Sequence, residues 1–273
     1  MPLSVLILAA NAPPTAANFT VTAVSAPIDV WAAVDTLHTC GFIDVPDIPA
    51  RAFVDDKGVS RMIVGSTYYH HMSGPTILKQ NRSCAYAFNQ TADPDPADFA
   101  GDEFLDSQWA FENGTVISLV HTEYPGNVYN STGPTPPMCP GPAYPHCWTV
   151  TIGLAVSHDW GATWKHAQPV PEQLVFAVPY KSNATQLAYG WGDPSNIVQH
   201  PTDGHYYVAI WNRNQVGLQA PGICMARTRD LLSPKSWRGW DGSGYTVRFA
   251  SPYTMAPGDE ANHICTVTNL PAG

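Results

Sequence analysis

Charge is what this sequence has least of. Only 13% of its 273 residues are Asp, Glu, Lys or Arg, about half the usual quarter. Lys and Arg number 13 against 22 Asp and Glu, for a formal charge of −9, and they gather into no stripe. An acidic surface repels phosphate, which disfavours nucleic acid and anionic membrane as partners. Long apolar runs are missing as well: none approaches the roughly 20 residues of a membrane span. The Gly-x-Ser-x-Gly elbow, His-Glu-x-x-His, the Gly-rich loop followed by Lys-Ser/Thr and Gly-x-Gly-x-x-Gly are all absent, so four common chemistries have no motif to stand on. No cofactor is implied. No metal site is expected either: His70 and His71 are adjacent, and successive strand residues point to opposite faces.

What is present points to strands. Apolar residues make up 44% of the chain, with 9 Trp, 12 Tyr and 9 Phe among 26 Pro and 21 Gly. Such a mix buries a core yet disfavours long surface helices, which need Glu, Lys, Gln and Ala, and it suits short strands joined by turns. The compartment follows from three further features. Residues 1–12, with the run Leu3 to Ala10 before Ala10-Asn11-Ala12, read as a signal peptide. Asn-x-Ser/Thr sequons stand at Asn18, Asn81, Asn89, Asn113, Asn130 and Asn183, as acceptors for N-glycans on exposed loops. The six cysteines are even in number and lack zinc spacing, which reads as disulfides. Cys139 and Cys147 bracket a stiff Pro-rich loop and are expected to pair, while the connectivity of Cys40, Cys84, Cys224 and Cys265 stays open. A secreted, extracellular glycoprotein results.

Three hairpins recur along the chain, turning at Lys57-Gly58, Asn113-Gly114 and Asp203-Gly204, where both central positions favour positive φ. A hairpin-based unit repeated at tens of residues suggests a radial β architecture, because one such sheet cannot cover both of its faces. Units are expected at about 47–89, 104–178 and 189–249. Residues 13–46 form an N-terminal extension that could supply a closing strand, and 250–273 open a fourth unit with His263 to Thr268 as its first strand. Propellers close with about four to eight blades, so three units and a start leave an open edge and an unpaired Cys265 by residue 273.

Residues 157–164, Ser-His-Asp-Trp-Gly-Ala-Thr-Trp, match Ser-x-Asp-x-Gly-x-Thr-Trp at every fixed position: Ser157, Asp159, Gly161, Thr163 and Trp164. The pattern describes a tight turn in which the Asp159 carboxylate accepts backbone N–H groups, Gly161 is left-handed and Trp164 packs into the sheet. It resembles the Asp box of sialidases and related glycoside-hydrolase β-propellers, where the box joins the third and fourth strands of a blade, away from the catalytic face. The resemblance implies an all-β propeller of four-stranded blades, five- or six-bladed, and assigns these residues to structure. Arg51 stands where sialidases carry the first arginine of a carboxylate-binding triad. Trp191 to Ile197 (WGDPSNI) looks like the opening of an inner strand in arabinanase-type propellers, where catalytic carboxylates sit.

Glycoside hydrolysis needs two carboxyl groups facing one sugar, one to donate a proton and one as nucleophile or base. Glu103, Glu112, Glu172 and Glu260 fall in turns or acidic loop-like contexts. Glu123 ends an apolar strand and shares a face with His121 by the period of two. Asp47, at the start of the first hairpin, is its expected partner, with Asp193 as third candidate. Tyr68, Trp191 and Trp211 are expected to stack on sugar faces, with Arg51, Arg213 and Asn196 as polar contacts. The expected function is glycan hydrolysis by carboxylate acid/base catalysis. A propeller that binds a glycan or protein without turnover is the alternative.

Overall fold

The computed structural model describes Cys40 and residues 46–65, 68–126, 146–183 and 185–268, the backbone alone being described at 65 and 68. The chain divides into Met1–Val30 and Trp31–Gly273, and every described residue belongs to the second. The expected signal peptide, Asn18, Asn130 and Cys139 lie outside the described residues, as does most of the 13–46 extension.

Among the described residues the architecture is all-β, with two short 3₁₀ turns at Pro234–Ser236 and Glu260–His263. The first unit is an antiparallel meander of β1 (Arg51–Val54), β2 (Ser60–Gly65), β3 (Tyr68–Thr76) and β4 (Lys79–Asn89). The second comprises β5 (Asp102–Ala110), β6 (Val116–Pro125) and β7 (Trp148–Ser157), with β8 (Lys165–His166) and β9 (Leu174–Phe176) both pairing β7. The third holds β10 (Tyr189–Gly192), β11 (Val198–Gln199), β12 (Tyr206–Asn212), β13 (Gly222–Thr228), β14 (Arg238–Trp240) and β15 (Tyr245–Val247). The three hairpin glycines lie at the expected turns, with φ of 75°, 87° and 70° at Gly58, Gly114 and Gly204.

The period of two in β6 separates two cores. Val116 and Val120 pack with Ile63, Phe88 and Trp164 toward the first unit, while Ile117 and Leu119 pack with Leu154, Ile210 and Trp191 toward the third. β6 is therefore buried on both faces, which is why it opens on the nearly continuous apolar run Val116-Ile117-Ser118-Leu119-Val120.

Units two and three join into an 11-stranded sheet through a parallel contact between β7 and β10, with Tyr189 opposite Thr149 and Gly190 opposite Val150. Gly190 permits this approach: its φ is +117°, and a Cβ there would stand 1.9 Å from the Val150 carbonyl oxygen. Two residue pairs leave no pattern that a sequence could show. Gly190→Ala is expected to destabilise the fold by about 2–4 kcal/mol, because backbone rather than a flexible side chain must yield. A urea denaturation curve would measure the loss.

Residues 250–268 also depart from expectation. Instead of opening a fourth unit, 260–263 forms a 3₁₀ turn and 264–267 carries no strand. The segment folds back on the third unit, Thr268 bridging Ile223 and the Thr266 amide donating to the Trp240 carbonyl at 2.8 Å. Cys265 is not unpaired: it is bonded to Cys224, and Cys40 to Cys84. Cys147 is disulfide-bonded as well. Such bonds point to an oxidising, non-cytosolic compartment. Asn81, Asn89, Asn113 and Asn183 are exposed, although the first two lie in β4 rather than in loops.

The turn at 157–164 links β7 to β8 with the expected bonds. Asp159 Oδ1 accepts the Thr163 amide at 2.8 Å and the Ser157 hydroxyl at 2.7 Å, and its Oδ2 takes the Thr163 hydroxyl at 2.6 Å. Gly161 has φ of 81° and Trp164 is buried. Burial works against the Asp159 charge, but bonds from Thr163 and Ser157 outweigh it and hold the carboxyl below the usual range. Asp159→Ala would leave these donors unmet, with an expected loss of about 1–3 kcal/mol measurable by thermal melting.

A candidate carboxylate cleft

Strand ends from all three units meet at one cleft of about 300 Å³. Asp47 reaches it ahead of β1, His121 and Glu123 from the end of β6, Asp193 from the turn after β10, and Trp211 and Arg213 from the end of β12. The residue types follow from position: a strand can bury apolar side chains along its length and still deliver polar ones at its rim, where water remains to solvate them.

His121 organises the centre. Its Nε2 faces Glu123 Oε1 at 3.0 Å, as the shared face predicts. Its Nδ1 accepts the backbone N–H of Asp193 at 3.2 Å and lies 3.7 Å from Asp193 Oδ1. That backbone donor fixes the neutral tautomer with hydrogen on Nε2, aimed at Glu123. Burial alone would lower the imidazole pKa; the bond and charge of Glu123, with Asp193 and Asp106, outweigh it and raise the pKa above its ordinary value.

Beside this pair lies Asp106, which no local pattern in the sequence marks. It is 1% exposed and sits at a register shift in β5, between the pairs Leu105–Val120 and Ser107–Leu119. A bulge of this kind re-aims a side chain beside a site. Arg51 Nη2 meets Asp106 Oδ1 at 3.1 Å. Burial nevertheless dominates, with Asp193 adding to it against Arg51 and His121, and the Asp106 carboxyl is pushed up to about 6. Its neighbours in sequence, Asp102-Glu103-Phe104-Leu105 before it and Ser107-Gln108 after it, carry no signal that singles it out.

A raised carboxyl pKa means that the folded chain keeps a proton which the unfolded chain releases. Stability from Asp106 is therefore complete below about pH 4 and is lost as pH rises to about 6, by up to about 3 kcal/mol. The raised His121 acts in the same sense at higher pH. Asp106→Asn is expected to flatten the slope between pH 4 and 6, read from urea midpoints at several pH values.

Other candidates are placed differently. Trp191 is 0% exposed within the core and offers no face to a sugar. Arg51 is held by Asp106 and by the Pro194 carbonyl at 3.3 Å, and does not line the cleft. Asn196 is exposed but is not a lining residue. The Tyr68 side chain lies outside the described residues. Trp211 is 37% exposed, with the Arg213 guanidinium 5.2 Å above its ring. Trp148 lines the cleft without having been expected there. Glu103 is in β5 rather than a loop, buried and 2.5 Å from His166.

Asp106, His121 and Asp193 each offer one ligand atom, all within 4.8 Å of one another, the one such group among the described residues. Their lone pairs are partly committed, to Arg51 and to the Asp193 amide. Among the described residues, no helix is long and apolar enough to cross a membrane.

No protein-family model and no curated protein matches the chain. Solved structures with some likeness include a protein described as a glycosidase from Bacteroides thetaiotaomicron (15% identity, TM-score 0.42, 74% of this chain and 52% of that one). A GH32 β-fructofuranosidase from Bombyx mori shows 16% identity and a TM-score of 0.43 over 74% of this chain and 38% of its own. A protein described as a glycoside hydrolase from Parabacteroides distasonis shows 14% and 0.42, over 74% and 52%. The chain thus spans about half or less of these proteins.

Proposed function

We propose that the cleft hydrolyses a glycosidic bond, with Glu123 as proton donor and Asp193 as the base or nucleophile across the sugar. The observation that carries this reading is the convergence of Asp47, Glu123 and Asp193, from three separate strand ends, on one open cleft beside Trp211. Glycoside cleavage requires two carboxyl groups on opposite sides of one ring carbon, and a single imidazole here stands between two. His121 engages Glu123 Oε1 and leaves Oε2 for the glycosidic oxygen. Asp193 is more exposed, at 53%, which suits the group that meets water or the anomeric carbon. Asp47 then contacts sugar hydroxyls, and Trp211, with the Arg213 guanidinium over one face of its ring, supplies the stacking plane.

Asp193 thus takes the role that the sequence favoured for Asp47. Both line the cleft, but Asp193 also shares His121 with Glu123. The names of the similar structures, all glycosidases, are compatible with the reading. A secreted setting would match the disulfides and the exposed sequons.

A panel of 4-nitrophenyl glycosides, assayed with the wild type and Asp193→Ala, tests the proposal. Turnover of one glycoside that drops about 10³-fold in the variant supports it. Sugar binding by calorimetry without turnover of any glycoside would replace the hydrolase with a binding module.

A further inference from the structure

The turn that carries Asp193 is held by three side chains from three other strands. The Asp193 amide donates to His121 Nδ1 of β6 at 3.2 Å. The Pro194 carbonyl accepts from Arg51 Nη2 of β1 at 3.3 Å. The Ser195 carbonyl accepts from the Ser107 hydroxyl of β5 at 2.6 Å. Asp193 itself has φ of +46°, in the left-handed region that costs a non-glycine residue energy unless its surroundings impose it. Proline cannot donate at position 194, so the only backbone handle there is its carbonyl, and that is the atom Arg51 takes.

We infer that Arg51 is a positioning residue: with Asp106 it forms a brace from the first sheet that holds the Asp193–Pro194 turn in its left-handed conformation and aims the Asp193 carboxylate into the cleft. The inference rests on the reading of Asp193 as base or nucleophile. The guanidinium is suited to it because its fork reaches three acceptors at once. Nε donates to the Asp106 carbonyl at 3.2 Å, while Nη2 meets both Asp106 Oδ1 and the Pro194 carbonyl. A lysine would offer the same charge without the planar fork. Asp106 is buried at 1% exposure, so it is a fixed anchor rather than a solvated counter-charge. Arg51 is the one member of the trio from the first sheet, whereas His121, Ser107 and the turn belong to the second. The brace therefore ties the base to a sheet that makes no backbone pairing with it. This role differs from a substrate clamp, which would act through sugar affinity.

Three variants test the brace: Arg51→Met, Arg51→Lys, and the double variant Arg51→Met with Asp106→Leu. The double variant removes the buried charge together with its partner, so loss of the brace can be followed even where Arg51→Met alone fails to fold. Two readouts are taken, amide hydrogen exchange at Asp193 and Ser195, and kinetics on whichever 4-nitrophenyl glycoside the wild type turns over. Exchange is expected to quicken about tenfold or more in the two Met variants and less in Arg51→Lys. The kcat should fall about 10²-fold with KM within a factor of about two, because a misplaced base loses rate and not affinity. A raised KM at unchanged kcat would make Arg51 a clamp and overturn the inference, as would unaltered exchange at both amides. Should the wild type turn over no glycoside, the hydrolase reading fails, and exchange alone still decides whether Arg51 holds the turn.

Discussion

Glu123→Gln is expected to lower kcat on a glycoside with a poor leaving group by about 10³-fold, while leaving the melting temperature within a degree or two. The rate loss follows from removing the proton that the departing oxygen needs, a contribution that general acids commonly make at 10²–10⁴-fold. The small effect on stability follows from position: Glu123 lies at the rim, about a quarter exposed, and a glutamine can still accept the His121 bond on its amide oxygen. A diagnostic contrast comes with the result. A 2,4-dinitrophenyl glycoside leaves as a stable anion and needs little protonation, so the same variant should lose far less on it, on the order of tenfold. Equal losses on both substrates would move Glu123 out of the acid role and into binding. Initial rates on the two substrates, with NMR of the first-formed anomer, answer both the assignment and the stereochemical outcome.

Removing the Cys224–Cys265 bond is expected to have the largest effect on stability. The bridge closes a loop of sequence separation 41, for which the chain-entropy relation gives about 4 kcal/mol. It also clamps the last described segment. Cys265 is buried beside Gln219, whose side chain bonds it at both amide and carbonyl, and Thr268 bridges Ile223 one residue from Cys224. Cys224→Ala with Cys265→Ala should therefore lower the melting temperature by about 10 °C, at about 2–4 °C per kcal/mol for a chain of this size. Hydrogen exchange should quicken first across 250–268. Calorimetry of the double variant beside the reduced wild type measures the first. A fall of under about 2 °C would mean that the noncovalent contacts hold the segment unaided.

How far the site could be read beforehand is shown by His121 and Glu123. Their spacing of two residues at the end of an apolar strand fixes them to one face, and the imidazole stands 3.0 Å from the carboxylate. Local periodicity suffices there because both residues belong to the same strand. Asp106 shows the opposite case. Nothing adjacent to it distinguishes a buried carboxylate under the cleft from an ordinary polar residue, since its partner Arg51 stands 55 positions away and its orientation depends on a bulge. Trp191 departs from expectation for a related reason. An aromatic beside Asp193 can face the cleft or the core, and the pleat turns it inward, where it is wholly enclosed.

Local chemistry determined the all-β class, the three hairpin turns and the bonded turn at 157–164, because Gly, Asn and Asp set their own φ and hydrogen bonds within four residues. Long-range packing decided what the sequence left open: the two disulfide pairs, the close approach of Gly190 to Val150, the return of residues 264–268 to the third unit, and the placement of Asp193 beside His121. Each of these depends on which distant strands become neighbours. That is settled by the fit of whole sheet faces against one another, which no single stretch of residues encodes.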